Sequence, residues 1–250
     1  MLNQRESNMW AARFGIAPAQ IRKDHLISHL LTGVARSTVA GRAIFFGGTA
    51  LARTHLSGGR VSEDIDLWAE PPDEVLAVLA DELPRRLRRE YPGLRIEKRS
   101  PGVGSVIARD GTQVRLQVVA YGAEHHRCVQ SERRNIDLRY TDLPSEAELT
   151  VPIRSSFVAM KHLAWTDRTA PRDLVDLAGF AAIGALDIEA DAIVHCLRGF
   201  GVRSHDIDQL PERTRRAWNV DLAHQMGRPP DPDRALGAVQ EAWSRSLGWE

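Results

Sequence analysis

The segment from Phe45 to Leu67, FFGGTALARTHLSGGRVSEDIDL, constrains this chain more than any other. A short apolar run stops at Gly47-Gly48-Thr49, one short helix follows, and a second apolar run carries Asp64 and Asp66. Residues two apart on a strand face the same side, with Cα atoms roughly 6.5 to 7 Å apart. Asp64 and Asp66 therefore converge on one site, while Ile65 and Leu67 point into a core. Carboxylates fit poorly in strands and are costly to bury unpaired, so a convergent pair calls for a cation. Glycines permit a sharp turn and close approach of a ligand, and backbone N–H groups at such a turn suit phosphate. Magnesium takes hard oxygen ligands and bridges carboxylates to substrate phosphates.

Taken together, these residues read as a holder for a nucleoside triphosphate with Mg2+, or Mn2+ in its place. The chain is expected to be a metal-dependent nucleotidyltransferase. Asp64 and Asp66 are the expected metal ligands. Gly47, Gly48 and Thr49 are expected at the phosphates, with the Thr49 hydroxyl as a donor. Ser62 shares the Asp64 face as a further nucleotide contact, and Glu63 alternates away. The segment is not a P-loop, because the G-x-x-x-x-G-K-[ST] pattern and its lysine are missing.

Around this block, Pro18 to Leu31 has helical periodicity, Ala43 to Phe46 reads as a buried strand, and Val61 to Leu67 as the carboxylate strand. Asp73 is placed to cap a helix with a stripe of Val75, Leu76, Val78, Leu79 and Leu83. Leu94–Arg99, Gly104–Arg109 and Gln113–Tyr121 alternate as strands, the last two joined by a turn at Asp110-Gly111. The proline-containing stretch Asp142 to Pro152 reads as a boundary. Helical patterns then dominate, over Ser155–Trp165, Arg172–Ile183, Ile188–Leu197, Thr214–Met226 and Arg234–Leu247. The expected organisation is an α/β domain over residues 1–150 and a helical domain over residues 151–250 that contributes to the active-site cleft.

The helical half offers Lys161, Arg168, Arg172, Asp173 and Asp176. Lys161 and Arg168 lie two turns apart and share a helix face, as do Asp173 and Asp176. A triphosphate needs cations, and lysine suits as a compact point charge. Asp173 is favoured over Asp176 as a further site carboxylate, because Arg172 stands four residues before Asp176 and no cation stands four before Asp173. The glycine turn, the carboxylate pair and the following hairpin suggest a polymerase-beta-like nucleotidyltransferase core with a mixed sheet. That fold often carries a third carboxylate on a later central strand. The residue best placed here is Gln117, and no acid occurs between Thr112 and Gly122.

Formal net charge is zero, but Glu63 to Glu82 holds eight acids and no base, while Arg85 to Arg99 holds seven bases against Glu90 and Glu97. The basic run reads either as a solvated face or as a surface for an RNA backbone. Cys128 and Cys196 are too few for a disulfide scaffold or zinc knuckle and point to a reducing cytosol. No run of 18 apolar residues and no apolar signal core occur, so a soluble cytoplasmic protein without membrane contact is expected. His125, His126 and His162 lack the spacing of a zinc site, the first two being read as a strand end.

Three blocks resemble the AbiEii/AbiGii-type nucleotidyltransferase toxin family, which includes MenT-like toxins. They are Ile21-Arg22-Lys23-Asp24; Phe46 to Leu51 with Arg60 to Leu67; and Lys161-His162-Leu163-Ala164 with Arg168 and Arg172 to Leu177. The resemblance implies nucleotide and metal binding at Asp64 and Asp66, with Lys161 and Asp173 completing the catalytic set; the helix face it shares with Lys161 is what places Arg168 at the nucleotide. Arg172 stands where many members carry lysine. It also implies a cognate antitoxin and an RNA acceptor, with the 3′ end of tRNA foremost. The competing expectations are transfer to a protein or small molecule, or an inactive partner-binding module of the same fold.

Overall fold

The structure, a computed structural model, describes residues 2–249. Two compact units form. The first is the chain through Gly122 together with Ser131–Val151, and the second is Ala123–Gln130 together with the chain from Pro152 onward.

The first unit begins with α1 (Gln4–Phe14), capped by the Asn3 side chain on Glu6 N–H and closed by Gly15 at φ 68°. Nothing in the sequence reading anticipates α1, since Trp10 and Phe14 are its only large buried apolar residues. They pack with Ile16, Ile21, Val61 and Tyr140 in a cluster of their own. Next come α2 (Pro18–Ala35), β1 (Ile44–Phe46), α3 (Gly47–Arg53), β2 (Asp64–Trp68) and α4 (Pro72–Arg86). Proline sits in the first turn of both α2 and α4, where its missing N–H has no intrahelical partner to lose. Asp73 therefore lies inside the first turn of α4 rather than at its cap. Its carboxylate accepts the Gly102 N–H at 2.9 Å and pairs with Lys98.

β3 (Arg95–Ser100), β4 (Val103–Ile107) and β5 (Gln113–Val119) follow as an antiparallel meander. After α5 (Ala123–Cys128) come β6 (Ser131–Asn135) and β7 (Glu148–Pro152). The seven strands form one mixed sheet in the order β3-β4-β5-β2-β1-β7-β6. β2 is antiparallel to β1 and parallel to β5, and β7 is parallel to β1. The expected boundary stretch thus contains a sheet strand. β6, sequence SERRN, is an edge strand whose burial alternates only weakly, which is why its charges read as loop. Ile65, Leu67, Phe45 and Leu116 form the inward face of the central strands.

The second unit is helical: α5, α6 (Arg154–Arg168), α7 (Pro171–Ala182), α8 (Ile188–Arg198), α9 (Glu212–Leu222) and α10 (Pro232–Leu247). His125 and His126 lie on α5, not at a strand end. α5 is tied to α8 by a Cys128–Cys196 disulfide with Cα atoms 5.7 Å apart, so the two cysteines, too few for a disulfide scaffold, nonetheless form one bridge. The sequence separation of 68 hid the pairing. His162 is fully buried, its Nε2 3.1 Å from Asp206 Oδ2. No described helix is long and apolar enough to cross a membrane.

Candidate active site

The register of three central strands brings the glycine turn and the two aspartates together. Asp66 lies opposite Phe46 of β1 on one side and opposite Gln117 of β5 on the other. Asp64 lies opposite Arg115. Asp64 and Asp66 are half-buried, while Ile65 and Leu67 between and after them are fully buried. The two carboxylates therefore occupy one polar face whose outer end is closed by Trp68, stacked on Phe46 at 4.1 Å between ring centroids.

Gly47 begins α3 with φ +79°. A β-carbon there would meet Asp66 Oδ2 at 2.5 Å, so the missing side chain gives the carboxylate its place. At Gly48 a β-carbon would meet the Arg60 guanidinium at 2.6 Å and Ser62 Oγ at 3.3 Å. Ser62 thus reaches the glycine turn, although the strand starts only at Asp64 and Val61 to Glu63 precede it as irregular chain. Glu63 turns away to pair with Lys23 at 3.3 Å.

Thr49 corrects one expectation. It is buried, and its hydroxyl donates to the Asp64 carbonyl oxygen. The side chain therefore fixes the start of β2 rather than offering its proton to a phosphate. Arg60 is the residue that sequence reasoning left without a role. It is buried beside Gly48 and is the cation nearest the glycine turn. Its signal was present as a lone arginine two residues before Ser62.

Asp24 of the Arg-Lys-Asp block is a support, not a ligand. It is 1% exposed and takes Arg53 Nη2 at 2.8 Å, Arg139 Nη1 at 3.0 Å and the Tyr140 hydroxyl at 2.8 Å. Burial pushes its carboxyl up, but the two guanidinium groups prevail and hold it below its ordinary value. Burial and Arg139 together lower Arg53 to about 10, so it stays charged at neutral pH.

In the helical unit the structure brings Lys161, Arg168, Asp173 and Asp176 together. Lys161 Nζ lies 3.1 Å from Asp173 Oδ1 and 2.6 Å from Asp176 Oδ2. Arg168 donates Nε to Asp173 Oδ2 at 2.7 Å and Nη2 to Oδ1 at 3.0 Å. Asp173 is fully buried, and although burial raises its pKa, Lys161 and Arg168 leave it net lowered. Asp173 therefore has two cationic partners, contrary to expectation. Both come from α6, five and twelve residues upstream, beyond a spacing of four.

The basic run is largely neutralised by its neighbours. Arg85 pairs with Asp81, Arg86 with Glu82, Arg95 and Arg99 with Glu97, and Lys98 with Asp73. Arg88 and Arg89 remain exposed with no acidic partner among the described residues. One group of three side chains could hold a metal ion among the described residues: His25, His29 and Asp142. Sequence reasoning passed over it, although the H-x-x-x-H spacing on α2 was visible.

A mixed sheet carrying a glycine turn against a carboxylate pair on the neighbouring strand, followed by a helical bundle, defines a nucleotidyltransferase. The model of the family described as "Nucleotidyl transferase AbiEii toxin, Type IV TA system" matches residues 29–245. The chain belongs to this AbiEii family of nucleotidyltransferase toxins. Among solved structures, MenT4, a nucleotidyltransferase toxin from Mycobacterium tuberculosis H37Rv, is similar with a TM-score of 0.69 at 20% identity, over 100% of this chain and 91% of that one. A candidate nucleotidyltransferase from H. pylori has a TM-score of 0.56 at 16% identity, over 94% of this chain and 99% of that one. No curated protein matches the chain in sequence.

Proposed function

We propose that the chain transfers a nucleoside monophosphate from a triphosphate to an RNA 3′ hydroxyl, foremost that of tRNA, with release of pyrophosphate, in the cytoplasm, and that a cognate antitoxin restrains it. The observation that carries this reading is the contact of Gly47 with the Asp66 carboxylate, with Asp64 on the same strand face. The donor set suits Mg2+: two carboxylates are hard oxygen ligands. Held by Asp64 and Asp66, the ion would supply charge neutralisation on the triphosphate and Lewis-acid activation of the attacking hydroxyl. Gly47 and Gly48 let the phosphates approach the backbone, Ser62 donates its hydroxyl, and Arg60 balances phosphate charge. Gln117, lacking a charge, contributes a neutral amide where relatives of this fold often place a carboxylate. Lys161 and Asp173 are assigned the roles that the family resemblance implies, Lys161 as a cation for the triphosphate, and Arg168 is assigned to the nucleotide from the helix face it shares with Lys161.

The test is transfer from each labelled nucleoside triphosphate to total RNA with Mg2+. Folded Asp66→Asn should lose transfer, and a wild-type rate in that variant would reject the assignment. A second reading, transfer to a protein or small molecule, is favoured by the internal pairing of most of the basic run. An RNA acceptor held by phosphate contacts predicts steep salt dependence. Salt-insensitive labelling of protein, with none of RNA, would select the second reading.

A further inference from the structure

We propose that His25, His29 and Asp142 form a binding site for a zinc-class transition-metal ion, separate from the carboxylate pair on β2. His25 and His29 are four apart on α2, so both rings leave the same helix face. Each is 3% exposed. Their Nε2 atoms lie 3.3 Å apart. Both carboxylate oxygens of Asp142 lie 3.1 Å from His25 Nε2, and its Oδ2 lies 3.5 Å from His29 Nε2.

These separations, which serve direct hydrogen bonds here, also match those of ligands around a shared ion. Ligands held at 2.0–2.1 Å in a tetrahedron stand about 3.3 Å from one another. Three donor atoms already at that mutual spacing need almost no movement to bind. The donor types choose the ion: imidazole nitrogen suits Zn2+ and its transition-metal neighbours, not Mg2+.

Two further features support the site. His25 Nδ1 lies 2.6 Å from the Tyr91 hydroxyl, a partner that can accept the Nδ1 proton and so present the bare Nε2 inward, as outer partners do for metal-bound histidines. A cavity of about 320 Å³ is lined by His29, Asp142 and Glu90. Glu90 Oε2 is buried there with no hydrogen-bond partner among the described residues. The cavity offers room for a fourth ligand, either water or this carboxylate. The ion would tie α2 to the loop that carries Asp142.

The experiment uses the full chain, stripped with chelator, then titrated with Zn2+ by calorimetry and checked for metal content after dialysis. The wild type should retain about one ion per chain, and Zn2+ should raise its Tm. Asp142→Asn, a same-shape change at a partly exposed residue, should weaken binding at least 10-fold, a loss that even outer-shell changes reach. His29→Gln should do the same, and Asp66→Asn should bind Zn2+ like the wild type. Spectra of the Co2+-loaded protein should show nitrogen ligation that His29→Gln removes. A wild type that retains no zinc, or equal affinity in Asp142→Asn, would overturn the site and leave a hydrogen-bonded His-His-Asp cluster. Loss in Asp66→Asn alone would assign the ion to the carboxylate pair.

Discussion

The Asp66 carboxylate lies against the α-carbon of Gly47, where a β-carbon would sit 2.5 Å from Oδ2. The backbone there is also left-handed, at φ +79°. Gly47→Ala would therefore meet two penalties, backbone strain of about 1–2 kcal/mol and displacement of a carboxylate assigned to the metal. A shift of about 1 Å in a reacting group can cost on the order of 100-fold in rate. Nucleotide transfer by Gly47→Ala should fall by about that factor while circular dichroism shows a folded chain. Transfer at the wild-type rate would mean that Asp66 is not held where the chemistry needs it.

Asp24 holds the chain segments that carry Arg53, Arg139 and Tyr140 together from the middle of α2. Removing one partner of a buried ionic network leaves the others uncompensated, at about 3–5 kcal/mol. Asp24→Ala should unfold at clearly lower urea concentration, with transfer lost only as far as the folded fraction is lost. A variant with wild-type stability and no transfer would move Asp24 from scaffold to chemistry.

Much of this architecture was legible in the sequence, and what was not has physical reasons. Period-2 alternation gave β2, β4 and β5, and apolar helical stripes gave α2, α4 and the α6 to α10 series. The carboxylate face followed from the spacing of Asp64 and Asp66 alone. β6 and β7 escaped because an edge strand of SERRN has no apolar alternation, and because parallel pairing of Thr150 with Ile44 is a non-local event. Tertiary partners escaped for the same reason. The Thr49 hydroxyl finds a carbonyl 15 residues away, Asp173 finds a lysine 12 residues upstream, and Asp142 finds His25 across 117 residues. Spacing rules look along one element and cannot see across it.

Lys161 now carries a different expectation from the one its sequence position invites. Its ammonium lies between two buried carboxylates, Asp173 and Asp176, so Lys161→Ala would remove their counterion as well as the cation proposed for the triphosphate. The variant should lose stability, by about 3–5 kcal/mol if the carboxylates stay charged. Adding Asp176→Asn to Lys161→Ala should recover part of that loss, because one stranded charge disappears. A double-mutant cycle by urea denaturation measures the coupling. Strict additivity would show that the lysine does not stabilise this pair.

The bridge between Cys128 and Cys196 closes a sequence separation of 68. Chain entropy alone gives a loop of that length about 4 kcal/mol of stabilisation. The native protein should resist alkylation by iodoacetamide until a reductant is added, as read by intact mass. Reduction should then lower the Tm. Rapid alkylation at two sites without reductant would show two free thiols and overturn the bridge.

Asp206 predicts how stability should respond to acid. Its Oδ2 takes Arg198 Nη2 at 2.5 Å and the Arg203 N–H at 2.9 Å, and lies 3.1 Å from His162 Nε2. Burial raises its pKa, but hydrogen bonding to His162 and Arg198 outweighs this and holds the carboxyl well below the ordinary range. Asp173 is shifted the same way. A carboxylate with a lower pKa folded than unfolded binds fewer protons in the native state. Its stabilisation is complete above the ordinary value near 3.9 and is lost as pH falls from there towards the folded value. Stability from urea denaturation should thus be flat in this contribution from pH 7 to about 5 and fall steeply below 4. Asp206→Asn should be less stable at pH 7, by about 1.5–3 kcal/mol for the lost charged hydrogen bonds, and should show a shallower fall below pH 4. Parallel wild-type and Asp206→Asn curves through the acid range would mean that Asp206 keeps an ordinary pKa in the native state.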